Sequence, residues 1–233
     1  MTHSEDLTPH IGFKTSPPLL SKLNSFLSAV AANDKKAGPL YVEYIAELTD
    51  HIIETLLLKM IEIAEVNSVG QKVISFCASS STKVSGMLTS KIYKKMSPAE
   101  LKPVADLWST FLKNTQDDNQ GDWYILTPIS TEFGNALDAI MEEKGDATEY
   151  TPGNLDDVMA KYDQLMQIII DTFFLEGTKV VKIGAITKKM LVVGVETVEK
   201  AVQAVLQKVI RPLDPAPFAR FVVHTEQFYI RLK

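Results

Sequence analysis

Residues 161–213 read KYDQLMQIIIDTFFLEGTKVVKIGAITKKMLVVGVETVEKAVQAVLQKVIRPL and are the most apolar stretch of the chain. Charged side chains interrupt the stretch, so that no uncharged run reaches the roughly 18 to 20 residues that a bilayer-spanning helix needs. The stretch therefore predicts the buried centre of a helical globular protein, around which the rest of the chain packs.

The composition is that of a globular protein, with 45% hydrophobic and 23% charged residues among 233. The net charge of −5 argues against a general nucleic-acid binder, which normally carries a basic excess. The single cysteine excludes an internal disulfide and favours a reducing compartment. Because the first residues lack the basic start and apolar core of a signal peptide, we expect a cytoplasmic protein with no nucleic-acid partner.

The apolar residues predict a mainly α-helical fold. They recur three and four positions apart from Pro18 to Ala32, in a long helix over 39–65, and in a second long helix that ends near Met96. The middle of that second helix, CASSSTKVSG, has small side chains that would let a neighbouring helix approach closely. Further along, Ser97 begins a helix with a capping sequence, and Asn154 caps another. We predict a multi-helix bundle of seven or eight helices.

The two ends of the chain are expected to differ from the bundle. Residues 1–17 are polar and carry two prolines and a glycine, which predicts a flexible N-terminal arm before a single helical domain over 18–233, with a possible subdivision near 115–123. Residues 220–233 are rich in β-branched and aromatic residues and predict a small β-hairpin or strand pair near the C-terminus. Residues 178–210 predict one long helix or two, and a buried strand around Val180 to Ile186 stays an alternative.

Two groups of acidic residues could bind a metal. Glu47, Asp50, His51 and Glu54 are spaced three or four apart on one helix, as in helical di-metal sites, but the acids lie opposite the apolar stripe and no second Glu-x-x-His follows. A solvated acidic face is the favoured interpretation. The run from Asp117 to Asp122 begins like a calcium loop, but its glycine and final ligand are out of register, which favours a surface loop.

No motif points to catalysis. Cys77 could pair with His51 or His224 as a thiolate nucleophile, but it lies on the apolar stripe of its helix, where cysteine acts as a small hydrophobe. There is no phosphate-binding glycine loop, no nucleophile elbow and no Cys-x-x-Cys pair. We expect no catalytic residue and no cofactor.

One basic segment could form a surface for binding a membrane or a partner. Lys179, Lys182, Lys188 and Lys189 stand among Val, Ile and Met, a pattern that suits acidic membranes or acidic partners. We favour the simpler interpretation that their stems cover a core helix and their amines reach water.

The favoured function is a non-enzymatic helical interaction protein, a scaffold, adaptor, or regulatory or immunity-type factor, which binds another protein or itself through helix faces. The alternative is a helical protein that binds an apolar ligand or lipid, or touches membrane surfaces through residues 178–194. Because apolar residues spread over more than half of that helix, we expect it to be enclosed, which disfavours membrane contact.

Overall fold

The computed structural model describes residues 7–114 and 121–232, and the described chain is mainly α-helical, as predicted. Its eight helices are α1 (Pro17–Ala31), α2 (37–63), α3 (Ser68–Tyr93), α4 (Pro98–Phe111), α5 (Thr131–Lys144), α6 (155–179), α7 (185–210) and α8 (Pro215–Glu226). Its strands are β1 (Thr8–Lys14), β2 (Leu112–Asn114), β3 (Trp123–Pro128) and β4 (Tyr229–Leu232). Asp117 to Gln120, which begin the calcium-like run, lie outside the described residues.

The helices begin where the sequence predicts capping residues. The Ser97 backbone N–H donates to the Glu100 carboxylate at 2.8 Å, and the Glu100 N–H donates to the Ser97 hydroxyl at 3.4 Å. Asn154 accepts from the Asp157 N–H at 3.2 Å. These bonds satisfy backbone donors that a helix leaves without an internal partner, so they fix the starts of α4 and α6.

The N-terminal arm predicted for residues 1–17 is wrong over residues 8–14. These residues form β1, an inner strand of a four-stranded antiparallel sheet with the order β2-β3-β1-β4. Ile11 and Phe13 are fully buried in the core. Gly12, which suggested a loop, is needed because a Cβ there would lie 1.9 Å from the Ile125 carbonyl oxygen of β3. The glycine therefore allows the two backbones to approach.

The β element predicted near the C-terminus is confirmed in β4, but its partner is not a neighbouring strand in the sequence. β4 pairs antiparallel with β1, with Thr8 opposite Leu232 and Ile11 opposite Tyr229. Residues 220–226, expected to supply the other strand, belong to α8. The amphipathic pattern of α8 buries Phe218, Phe221 and Val222 and outweighs the β propensity of its residues.

Aromatic contacts join the sheet to the helices. The Phe13 ring centroid lies 5.6 Å from that of Phe173 on α6 and 5.3 Å from that of Phe228. Trp108 of α4 packs edge-on against Tyr44 at 4.9 Å. The core is therefore continuous from the sheet into the layer of α2, α3, α6 and α7.

Within that layer, α3 packs along both α2 and α7. A Cβ at Gly194 of α7 would lie 2.9 Å from side-chain atoms of both Val84 and Leu88 of α3. At the other end, a Cβ at Gly70 would lie 3.4 Å from Val209. α3 and α7 are therefore antiparallel and approach closely at these two glycines.

Candidate ligand-binding site

An apolar cavity of about 90 Å³ lies between α2, α3, α6 and α7. Its wall is aliphatic and aromatic, and each of the four helices contributes to it. Representative lining residues are Ile45, Leu56, Leu88, Phe173, Leu191 and Val202. An apolar wall of this kind excludes water and favours hydrocarbon groups.

Two π-helical segments border the cavity. Residues Ile53–Leu58 of α2 and Asp171–Leu175 of α6 are π-helical, and both segments contribute lining residues. A π turn holds an extra residue and redirects the side chains that follow, and such turns are frequent at functional sites. A third π segment, Leu206–Ile210 of α7, contributes no lining residue. The widened turns of α2 and α6 therefore coincide with the space.

The α3 side of the cavity carries small hydroxyl side chains. Ser81, Ser85 and Thr89 are buried there, where larger residues would fill the space. The Thr49 hydroxyl donates to the Ile45 carbonyl at 2.7 Å and lies 2.8 Å from the Ser85 hydroxyl. Since Thr49 has a single hydroxyl proton, Ser85 donates to Thr49. This bond joins α2 to α3 beside the cavity.

Two buried tyrosines, Tyr41 and Tyr93, line the cavity and place their hydroxyl groups close to Gly177. The ring centroids of Tyr41 and Tyr93 lie 4.7 Å apart, and a Cβ at Gly177 would lie 3.0 and 3.1 Å from their hydroxyl oxygens. Burial raises the pKa of both phenols, so both are neutral at physiological pH. The Tyr41 oxygen accepts from Trp108 Nε1 at 2.9 Å, which leaves its own proton to be donated.

Most of the half-buried residues that line the cavity lie on α6 and α7. Among them are Phe174 and Leu175 near the end of α6 and Leu191, Val195 and Val198 of α7. We call these five residues the mouth. An occupant longer than the cavity would pass between α6 and α7 at the mouth.

Residues 178–194, next to the mouth, are partly exposed, contrary to the expectation that they are enclosed. α6 ends at Lys179, residues 180–184 are not helical, and α7 begins at Ala185. Residues 178–210, predicted as one long helix or two, therefore contain one helix that begins at Ala185, and the strand alternative is wrong. Ile186 is 77% exposed and Val193 is 64% exposed. The apolar residues that spread around this helix are thus divided between the cavity and the solvent.

The four lysines of residues 178–194 lie at the surface, in agreement with the interpretation that their amines reach water. Lys179, Lys182, Lys188 and Lys189 are all exposed. Lys179 pairs with the Glu176 carboxylate. Within residues 7–114 and 121–232, no ion pair involves the other three. They leave a concentration of positive charge beside the mouth.

The four residues considered as metal ligands, Glu47, Asp50, His51 and Glu54, bond to other groups or are exposed to solvent. Glu47 pairs with Lys22 of α1 at 2.6 Å, and His51 Nε2 lies 2.9 Å from the Lys14 carbonyl oxygen of β1. Asp50 and Glu54 are exposed. In the part of the chain that the structure describes, no group of three or more His, Cys, Asp or Glu could hold a metal ion.

The histidines considered as partners for Cys77 contact backbone carbonyl groups instead. His51 contacts β1, and His224 Nε2 lies 2.8 Å from the Thr55 carbonyl oxygen. Cys77 is fully buried, and burial raises the pKa of its thiol to about 11. A thiol with that pKa is protonated at physiological pH and is a poor nucleophile.

The cavity residues carry no sequence motif that marks them as a site. The signals that could have indicated it are the run of small hydroxyl residues in α3 and the glycine at 177, which faces two tyrosines. Among the helices described, none combines the length and apolar character that crossing a membrane would require. Comparisons with protein families, curated proteins and solved structures find no match for this chain.

Proposed function

We propose that this protein is a non-enzymatic binding protein that holds an apolar ligand in the cavity between α2, α3, α6 and α7. The observation that carries the proposal is the cavity itself, with its apolar wall and half-buried mouth. At about 24 cal/mol per Å³, an empty space of about 90 Å³ costs roughly 2 kcal/mol of stability. That is a large fraction of the roughly 5–15 kcal/mol that stabilises a typical domain, so an occupant offsets a substantial cost.

The size of the cavity limits the ligand. An apolar cavity of about 150 Å³ engineered in another protein binds benzene, so about 90 Å³ accepts a short alkyl segment. Sites for whole ligands commonly measure about 300–1,000 Å³. A larger ligand would therefore place only its end in the cavity and extend through the mouth. A linear alkyl chain fits this description, with a polar group near Tyr41 and Tyr93 or beyond the mouth.

The chemistry of the lining supports reversible binding. Hydrocarbon side chains dominate it, and the two buried phenols are neutral at physiological pH. Neutral hydroxyls orient a ligand but do not take up a proton from it.

Calorimetric titration of the ligand-stripped protein with saturated fatty acids of increasing length tests the proposal. Val198→Phe places a ring at the mouth, and Val223→Phe makes the same change on α8 at a residue that is 48% exposed and does not line the cavity. We expect Val198→Phe to weaken binding at least tenfold and Val223→Phe to leave it unchanged. Absence of binding by the stripped wild-type protein, or equal binding by both variants, would contradict the proposal.

One observation favours a second function, an interaction protein that binds an acidic partner protein through α3. Val69 and Phe76 are 70% and 62% exposed and lie two turns apart on one side of α3. Lys72 and Lys83 share that side, and Ser68–Tyr93 contains no acidic residue. Exposed apolar residues flanked by unopposed charge suit a complementary partner surface.

Affinity capture from the native host with the wild-type protein and with Phe76→Ser tests the second function. We expect an acidic protein that the wild type retains and the variant loses. Equal recovery with both proteins would exclude this surface.

A further inference from the structure

We propose that residues 180–193 dock the protein on the surface of an anionic lipid bilayer. We call these residues the docking segment. The inference rests on the proposed function, because a bilayer would then be the source of the apolar ligands.

The docking segment exposes large apolar side chains to the solvent. Val180, Ile186, Val192 and Val193 are between 40% and 77% exposed. Ile186 and Val193 are two helical turns apart, which places them on the same side of α7. A contiguous exposed apolar surface on a folded domain commonly marks a site of contact with a membrane or another molecule.

Its charge matches an anionic surface. Lys182, Lys188 and Lys189 lie within the docking segment, Lys179 precedes it, and no acidic residue occurs from 177 to 195. The chain as a whole carries a net charge of −5, so this local excess is opposite in sign to the rest of the protein. Lysines that alternate with exposed aliphatic residues are typical of helices that lie in the interface of acidic membranes.

The boundaries of the segment agree with this assignment. Beyond Val195, the outer side of α7 becomes acidic at Glu196, whose carboxylate lies 3.9 Å from Lys200. At the other boundary, Thr178 lines the cavity and is buried. Within α6 and α7, the exposed large apolar residues are therefore limited to the docking segment.

The position of the docking segment next to the cavity favours a lipid surface over a protein partner. Leu191, Val195 and Val198 of α7 line the mouth, while Ile186 and Val193 of the same helix face the solvent. One helix thus presents hydrocarbon both to the cavity and to the exterior. A bilayer supplies at one surface the anionic charge that the lysines match and the alkyl chains that the cavity accepts.

Flotation of the 233-residue protein with vesicles tests the docking segment. The vesicles contain either phosphatidylcholine alone or phosphatidylcholine with phosphatidylserine. We expect binding only to the anionic vesicles, and we expect salt to weaken it because exposed charges are screened. Each lysine near an anionic surface contributes roughly fivefold, so Lys182→Gln, Lys188→Gln and Lys189→Gln together should weaken binding about a hundredfold.

Two further variants distinguish the effect of the local charge from the effect of the exposed apolar groups. Lys59→Gln, Lys113→Gln and Lys208→Gln together remove the same charge from exposed residues of α2, β2 and the C-terminal part of α7, and should leave binding within about twofold. Ile186→Ser with Val193→Ser removes exposed apolar groups only and should weaken binding at least tenfold. Circular dichroism should show that each variant is folded, as expected for changes at exposed residues.

Absence of wild-type flotation with anionic vesicles would overturn the docking proposal, as would equal losses in the two lysine triple variants. The result is distinguishable from a failure of the proposed function, because fatty-acid binding is measured in solution without a bilayer. A protein that binds fatty acids but not vesicles lacks the docking function alone. A protein that binds vesicles but no fatty acid lacks the ligand-binding function alone.

Discussion

Adding methylene groups to the wall of the cavity should stabilise the ligand-free protein. Val198 and Val202 lie one helical turn apart on α7, and both line the cavity. Each change of Val to Ile adds one methylene group, and burial of a methylene contributes about 0.8 kcal/mol. The double variant should therefore gain about 1.6 kcal/mol. This gain lies just below the roughly 2 kcal/mol that an empty space of about 90 Å³ costs.

Urea denaturation of ligand-stripped protein measures this gain, and thermal unfolding should show a rise in Tm of about 3 to 6 °C for a chain of this length. The matched control is Val104→Ile on α4, where the valine is fully buried and does not line the cavity. Overpacking there should cost about 1–3 kcal/mol. If the double variant on α7 also loses stability, the space between the four helices does not exist and the argument from the cavity fails.

Three other predictions test the packing. Burial lowers the pKa of His224, so the unfolded chain binds more protons than the folded protein below about pH 6.5. The free energy of unfolding should therefore decrease as the pH is lowered below that value. His224→Gln should remove this part of the pH dependence in urea denaturation, whereas an unchanged dependence would assign it to other groups. Burial raises the pKa of Cys77 to about 11, so a thiol reagent should label it only on unfolding, and rapid labelling of the native protein would contradict its placement in the core. Gly12→Ala should lower the free energy of unfolding in urea by about 3 kcal/mol or more, because its Cβ would meet the Ile125 carbonyl oxygen. The control Gly86→Ala, with open space around it in α3, should raise the free energy of unfolding by about 1 kcal/mol. Equal effects of the two changes would contradict the position of β1.

The helical part of the fold could be predicted because its information is local. The starts of α4 and α6 follow from Ser97 and Asn154, whose side chains cap the helix within three residues. The amphipathic stripes of α2 and α3 define their lengths to within a few residues. Each of these signals depends on neighbours along the chain and on the 3.6-residue period, which are visible in any sequence.

β1 could not be predicted, because its stability comes from distant residues. The segment around Gly12 is short and contains a proline, which on local grounds favours a loop. Pairing with residues 124–128 on one side and 229–232 on the other makes it a strand. The same nonlocal pairing explains why the C-terminal strand has no hairpin partner.

The candidate site could not be predicted from the sequence for a different reason. Periodicity indicates which residues are apolar, but not whether an apolar residue meets the core, a cavity or the solvent. The small residues of α3 predicted a close approach of helices, which does occur at Gly194, yet Ser81 and Ser85 line a space instead. The π turns of α2 and α6 that border this space leave no recognisable sequence pattern.

Methyl NMR of the ligand-stripped protein during titration with a saturated fatty acid tests the binding of an apolar ligand most directly. The methyl groups of Ile45, Leu88 and Leu191 line the cavity on three helices, while Leu101 and Val104 lie in the core and line no part of it. We predict that the shifts of the first three change together with one binding curve while those of Leu101 and Val104 stay constant. Shift changes confined to surface methyl groups, or no change at saturating fatty acid, would contradict the account.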